Sequence, residues 1–218
     1  MAARSDSSQS YGPRGGDAGV TDVRRERTLV LIKPDGVQRA LSGAILARFE
    51  QAGLKIVGLK MVQAQRSILE RHYPADEAWV RTIGGKTREA FQSYGLDVRA
   101  TMGTDDPVEI GRRVRGWLIE FMQTTPVIAA VLEGVHAVSV TRKIVGNTLP
   151  VFAEPGTIRG DFSADAPTVA NPGRRPVRNL IHASGSVEEA GHEVTLWFAP
   201  EELHAYHRAD EAVMFGGL

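Results

Sequence analysis

Apolar residues along this chain recur with two periods, and the switches between them predict an alternation of strands and helices. Thr28–Lys33 holds the continuous run Leu29-Val30-Leu31-Ile32 and predicts a buried strand. Ser42–Ala52 carries Ile45, Leu46 and Phe49 at helical spacing, and Gly53 stops that helix. Leu54–Val62 predicts a second strand and Ser67–Tyr73 a short helix. Val108–Gln123 sets Ile110, Val114, Trp117, Leu118 and Phe121 on one helical stripe, a pattern that reads as core. Pro126–Leu132 predicts the third strand, Ala137–Val145 a helix, Arg178–His182 the fourth strand and Val187–Phe198 a helix. Pro200-Glu201-Glu202-Leu203 starts another short helix. Strand–helix–strand, helix, strand–helix–strand is a split βαβ order, which predicts an α+β fold with a mostly antiparallel sheet.

Composition narrows this picture. A chain of 218 residues with 42% hydrophobic content can bury one sizeable core, so one domain plus insertions is the simplest count. Without cysteine it has neither disulfides nor a thiolate metal site. Twenty-six basic residues balance 26 acidic ones, so no whole-protein field draws it to nucleic acid or membrane. No apolar run approaches a membrane span, and a soluble, cytoplasmic protein is expected. Residues 1–25 are rich in Ser, Gly, Asp and Arg and predict a disordered tail. Asp6, Asp17 and Asp22 count against an organelle-targeting peptide there.

The densest chemistry lies in Arg178-Asn179-Leu180-Ile181-His182-Ala183-Ser184-Gly185-Ser186. His182 follows two apolar residues at a strand end, and Ser186-Val187-Glu188-Glu189 fits the box that caps a helix start. Helix N–H dipoles at such a mouth favour an approaching anion. Glu193 lies seven residues beyond Ser186, two turns on, where it can hold one ring nitrogen and leave the other free to attack phosphate. A hydrogen-bonded structural histidine is the competing reading of this segment alone.

Three further stretches bear on that choice. Thr28 to Gly36 is a strand run ending in Lys33 and a Pro-Asp-Gly turn, and Pro155 to Asp161 is a turn-rich loop presenting Arg159. Arg142 to Thr148 sets an arginine and a threonine six apart near a helix end. Such residues handle phosphate. Other signals are weaker. Gly84-Gly85-Lys86-Thr87 imitates the end of a phosphate loop, but Val80 stands where that motif needs glycine. Arg112, Arg113 and Arg115 read as a solvated face, and Glu188-Glu189 as service to a helix N-terminus. His204 and His207 lack companions for a metal site, and no metal-ligating protein cage is expected.

Lys33-Pro34-Asp35-Gly36-Val37-Gln38-Arg39, Pro155 to Phe162, Asn179 to Ser186 and Leu196-Trp197-Phe198 together resemble the nucleoside diphosphate kinase family, in the family's own order. The resemblance runs from about Glu26 to Arg208. It implies a ferredoxin-like, four-stranded antiparallel sheet with helices, in a domain over 26–208. Insertions are expected near 74–107 and 165–175, and a C-terminal tail at 209–218.

The resemblance also implies an activity: transfer of the γ-phosphoryl group of ATP or another nucleoside triphosphate to a nucleoside diphosphate, by ping-pong through a phosphohistidine. Carried over residue by residue, His182 is the nucleophile, Glu193 holds its ring and Tyr73 helps fix the site. Lys33, Arg142, Thr148, Arg159 and Asn179 hold phosphates or ribose. Val114 stands where the family has an aromatic that stacks on the base, with Trp117 or Trp79 as replacements. Ala183 and Gly185 stand where Gly and Asp are commoner. Mg²⁺ is expected to arrive on the nucleotide, and the chain to form a homo-oligomer, a hexamer or tetramer. A catalytically silent nucleotide-binding regulatory or scaffold protein on the same fold is the alternative. Loss of the histidine or the arginines would favour it, and all are present.

Overall fold

A computed structural model describes residues 25–216, so the expected N-terminal tail lies almost wholly outside the described residues. Strand β1 (Glu26–Ile32) pairs antiparallel with β3 (Val127–Gly134) on one side and β4 (Ile181–Ala183) on the other. Strand β2 (Lys55–Val62) pairs antiparallel with β3, giving the order β2-β3-β1-β4. This is the antiparallel ferredoxin-like sheet expected from the sequence.

Both faces of the sheet are covered, which explains why β1 reads as an unbroken apolar run. Leu29 and Leu31 point to one face and Val30 and Ile32 to the other, because successive side chains alternate across a strand. The first pair packs among Leu69 of α3 (Arg66–His72), Ile119 and Met122 of α6 (Pro107–Met122), and Trp197 of α10 (Val187–Trp197). The second pair packs on Ile45 and Phe49 of α2 (Ser42–Gln51) and Val145 of α7 (Ala137–Val145). Each such side chain contributes roughly 1.5–3 kcal/mol when fully buried. Pro34 opens the one-turn helix α1 (Pro34–Gln38) directly after β1, where its missing N–H is harmless.

The stretch expected as a first insertion is helical. It forms α4 (Glu77–Ser93) and α5 (Val98–Met102). Asp76 starts α4 by accepting a hydrogen bond from Trp79 N–H at 2.9 Å. Helices α4 and α6 cross backbone to backbone: a Cβ on Gly84 would collide with the Pro107 carbonyl, and one on Gly111 with the Val80 carbonyl. Gly84-Gly85-Lys86-Thr87 therefore lies in mid-helix and is no phosphate loop. Arg112 is exposed, but Arg113 and Arg115 of α6 are not simply a solvated face. Arg115 donates to the Tyr73 carbonyl at 2.7 Å and so caps α3, while Arg113 bonds the Met102 carbonyl at the end of α5.

The remaining short helices are α8 (Ile158–Phe162), α9 (Pro167–Ala170) and α11 (Glu211–Phe215). Helix α9 sits in the second expected insertion, whose loop is tied by the Arg175–Asp165 pair at 2.5 and 3.0 Å. Helix α11 lies where the sequence predicts a C-terminal tail, and it is docked. Glu211 pairs with Lys55 at 3.0 Å and lies 3.4 Å from His207, and Arg208 donates to the Leu54 carbonyl at 2.9 Å.

Candidate active site

Strand β4 is shorter than predicted because Leu180 interrupts it with φ +68°. Ile181 N–H donates to the Asn179 carbonyl at 2.8 Å, closing a three-residue turn over Leu180. A buried leucine in this backbone region costs of order 1–3 kcal/mol and persists only where its surroundings hold it. Here Leu180 N–H donates to Asp35 Oδ2 at 3.0 Å and its carbonyl accepts Lys33 N–H at 2.8 Å. The turn fixes the next residue but one, His182.

The His182 ring is held through one nitrogen. Its Nε2 lies 2.8 Å from Oε1 and 3.0 Å from Oε2 of Glu193 on α10. Its Nδ1 has no hydrogen-bond partner among the described residues. Ser186 caps α10 by accepting Glu189 N–H at 3.1 Å, which sets the helix register that aims Glu193. Ser184 Oγ donates to Glu193 Oε2 at 2.7 Å, and His72 Nδ1 lies 3.2 Å from Oε1. Sequence reasoning missed His72 and Ser184. Their signal was position alone: His72 directly precedes Tyr73, and Ser184 lies two residues beyond His182.

Burial lowers the His182 pKa far below the usual imidazole value, and the nearby Lys33 cation pushes the same way, so the ring is neutral near pH 7. Burial also depresses His72, to about 3, and raises the Glu193 carboxyl. Tyr73 is buried with its ring 4.7 Å from His72, and its hydroxyl has no hydrogen-bond partner among the described residues.

Basic groups converge beside this histidine. Lys33 Nζ donates to Asn179 Oδ1 at 2.8 Å, and Asn179 Nδ2 donates to the Thr148 carbonyl at 2.8 Å. Arg159 of α8 donates to the carbonyls of Asn179, Gly146 and Ile181 at 3.1, 3.0 and 2.6 Å. It therefore braces the turn as well as supplying charge. Burial lowers Lys33 to about 8 and Arg159 to about 10, with further lowering from Arg159 on Lys33 and from Arg142 on Arg159. Two such buried cations gain most from an anion between them.

One cleft of about 450 Å³ joins these groups. Lys33, Arg142, Thr148, Arg159, Asn179 and His182 line it, as do Tyr73 and Val114. Glu193 stands behind the histidine. Trp79 lines the cleft and Trp117 does not. Glu189 also lines it, accepting Gly185 N–H at 2.8 Å, and its carboxylate fills the space that a side chain at position 185 would take. The donor atoms of His72, His182 and Glu193 lie within 4.8 Å of one another. Two imidazoles and one carboxylate do not suit Mg²⁺, which takes oxygen ligands.

Comparison with known proteins gives this arrangement a family. The sequence model of the nucleoside diphosphate kinase family matches residues 26–82 and 108–203, leaving 83–107 unmatched between them. A nucleoside diphosphate kinase of Pyrobaculum aerophilum is 51% identical over 178 residues, 82% of this chain and 97% of the relative. Nucleoside diphosphate kinase A of Rattus norvegicus is 39% identical over 181 residues, 83% of this chain and 91% of the relative. A crystal structure of an NDP kinase from Pyrobaculum aerophilum has a TM-score of 0.78 at 49% identity and covers 82% of this chain and 98% of that one. A transition-state mimic of the Borrelia burgdorferi enzyme with bound vanadate and ADP has a TM-score of 0.69 at 33% identity, covering 88% and 98%. The chain belongs to the nucleoside diphosphate kinase family of phosphotransferases.

Proposed function

We propose that this chain exchanges the terminal phosphoryl group between nucleoside triphosphates and diphosphates through a covalent intermediate on His182. The observation that carries the reading is the division of labour on one ring: Glu193 occupies Nε2 while Nδ1 has no partner among the described residues, in a histidine that lines the cleft with Lys33 and Arg159. The Nδ1 lone pair attacks the γ-phosphorus, the bond from that phosphorus to the bridging oxygen breaks, and the diphosphate leaves. The acceptor diphosphate's terminal oxygen then attacks the same phosphorus, and the P–N bond breaks. Positive charge developing on the imidazole is offset through Nε2–H by Glu193. Lys33, Arg142 and Arg159 neutralise charge on the transferred group, which is the main demand of phosphoryl transfer. A neutral His182 is the form that carries the attacking lone pair.

Mg²⁺ belongs to the same proposal as a passenger on the nucleotide. The cleft offers cations and one carboxylate, Glu189, rather than an oxygen cage. When bound, Mg²⁺ would neutralise phosphate charge and orient the transferred group. A homo-oligomer, hexamer or tetramer, is supported by Leu59 and Met61, which stand 53% and 60% exposed on the edge strand β2. The cytoplasmic location rests on the family alone.

The decisive experiment is incubation of the full chain with γ-labelled ATP and no acceptor. An acid-labile, base-stable phosphoprotein that yields labelled triphosphate on adding a diphosphate is the expected result. A chain that binds nucleotide and never takes up label would instead be the silent, regulatory form of the fold.

A further inference from the structure

Behind the attacking nitrogen lies a group of donor atoms that phosphoryl exchange leaves partly unused. His72 Nδ1, His182 Nε2 and the Glu193 carboxylate stand within 4.8 Å of one another. Glu193 Oε1 is the shared corner, 2.8 Å from His182 Nε2 and 3.2 Å from His72 Nδ1. His72 is buried, yet no strong hydrogen bond claims its ring. Its Nδ1 is 3.2 Å from Glu193 and 3.4 Å from the Trp197 indole nitrogen, at and beyond the long end of the usual range. Its Nε2 has no partner among the described residues. A buried polar ring so weakly paired calls for a partner. His72 and His182 both line the cleft, which opens the group to an ion from solvent.

The chemistry of the set selects the ion. Two imidazole nitrogens and a carboxylate suit Zn²⁺ and its transition-metal neighbours. At zinc's bond lengths of about 2.0 Å, donor pairs 2.8 and 3.2 Å apart subtend roughly 90° and 105° at one shared ion, angles that a distorted tetrahedral shell accepts. Water from the cleft would complete that shell. His72 ends α3 and Glu193 lies within α10, so no spacing motif announces the group. We propose that His72, His182 and Glu193 form a site for Zn²⁺ or a similar transition-metal cation, whose occupancy silences the nucleophile. A neutral imidazole carries one ring proton. In the metal-free site that proton is on Nε2, facing Glu193, and Nδ1 keeps the attacking lone pair. Coordination through Nε2 moves the proton to Nδ1, and the attacking lone pair is lost. Lys33, Arg142 and Arg159 still receive phosphates, so the ion stops the chemistry and spares nucleotide binding. That consequence rests on His182 being the phosphoryl acceptor; the binding of the ion does not.

Calorimetric titration of the nucleotide-free full chain with Zn²⁺ tests the site without requiring turnover. Zn²⁺ should bind stoichiometrically, and an excess of Mg²⁺ should not displace it. His72→Phe should weaken that binding by about 10-fold or more, because loss of a ligand costs no less than loss of a hydrogen bond supporting one. Since His72 is buried, imidazole nitrogen NMR of the parent chain gives the same answer without a variant. Zn²⁺ should shift the resonances of both rings and move the His182 ring proton from Nε2 to Nδ1. Label uptake from γ-labelled ATP by the preloaded chain should fall in proportion to the sites filled, and removal of the ion by EDTA should restore it. Absence of stoichiometric binding overturns the proposal, as do His182 resonances that ignore the ion. Full label uptake by the loaded chain overturns it too. A metal-free chain that takes up no label defeats the exchange reaction instead, while the titration and the ring shifts still decide the site.

Discussion

His72 and His182 stand edge to face with ring centroids 4.4 Å apart, and both reach the carboxylate of Glu193. One acid therefore orients two adjacent imidazoles, and a proton on either ring disfavours a proton on the other. The pair is stable when both rings are neutral. That suits an attacking nitrogen and makes His182 the most consequential single position.

His182→Ala should abolish exchange and label uptake, while nucleotide affinity stays within a few-fold of the parent. Affinity is spread over Lys33, Arg142, Arg159 and the base end of the cleft. Substantial ping-pong turnover in this variant would remove His182 from the reaction.

Glu193→Gln keeps a hydrogen-bonding group beside Nε2 but cannot offset positive charge growing on the ring. Phosphorylation should slow by about 10- to 1,000-fold in rapid-quench measurements. Parent-like rates would mean that Ser184 and His72 hold the carboxyl group for structural reasons only.

Lys33 gives a pH signature. Its pKa in the fold is lowered to about 8 from an ordinary 10.5, so its charge is lost from the folded site as pH rises through 8. KM for nucleotides should climb between pH 7 and 9, and Lys33→Arg should flatten that climb. Stability changes in the opposite sense. Below pH 8 both folded and unfolded chains carry the proton, and the burial penalty is fully present. Between 8 and 10.5 the unfolded chain alone keeps it, so this group's penalty fades. Lys33→Met should therefore melt higher than the parent at pH 7, with the difference shrinking toward pH 10. A constant difference across that window contradicts the buried-cation account.

Gly111→Ala probes the helix crossing. The added methyl has no room against the Val80 carbonyl, so α4 must move off α6, at a cost of about 1–3 kcal/mol typical of overpacking. Thermal denaturation should show a lower midpoint, and KM should rise because α4 carries Trp79 and Lys86 into the cleft. An unchanged melting curve would show the two helices to be loosely coupled.

The sequence was most legible where periodicity and motif coincided. Ala137–Val145 matches α7 end to end, and β1 and α10 begin or end within two residues of the predicted bounds. The pairing of Glu193 with His182 followed from helical spacing beyond a capping serine. Three things resisted. Arg178–His182 looked like one strand because local composition does not reveal that Leu180 takes a positive φ, which Asp35 and Lys33 impose from far along the chain. Helix α4 hid because Gly84 and Gly85 weaken its propensity, and only packing against Gly111 shows what Gly84 is for. His72 was invisible because its role depends on where α3 ends relative to α10, a tertiary fact.

The turn at Leu180 has a consequence for how activity is acquired. Strand β4 has three residues and little pairing of its own, and the Leu180–Asp35 bond that holds its entry spans 145 positions in sequence. Contacts of such separation pay their loop-closure entropy before they return anything, so they are favoured only after the intervening chain has ordered. The nucleophile is thus expected to be installed late. During refolding from denaturant, helical signal from α6 and α10 should return ahead of the capacity to take up label, and a chain interrupted partway would look largely folded yet be chemically inert.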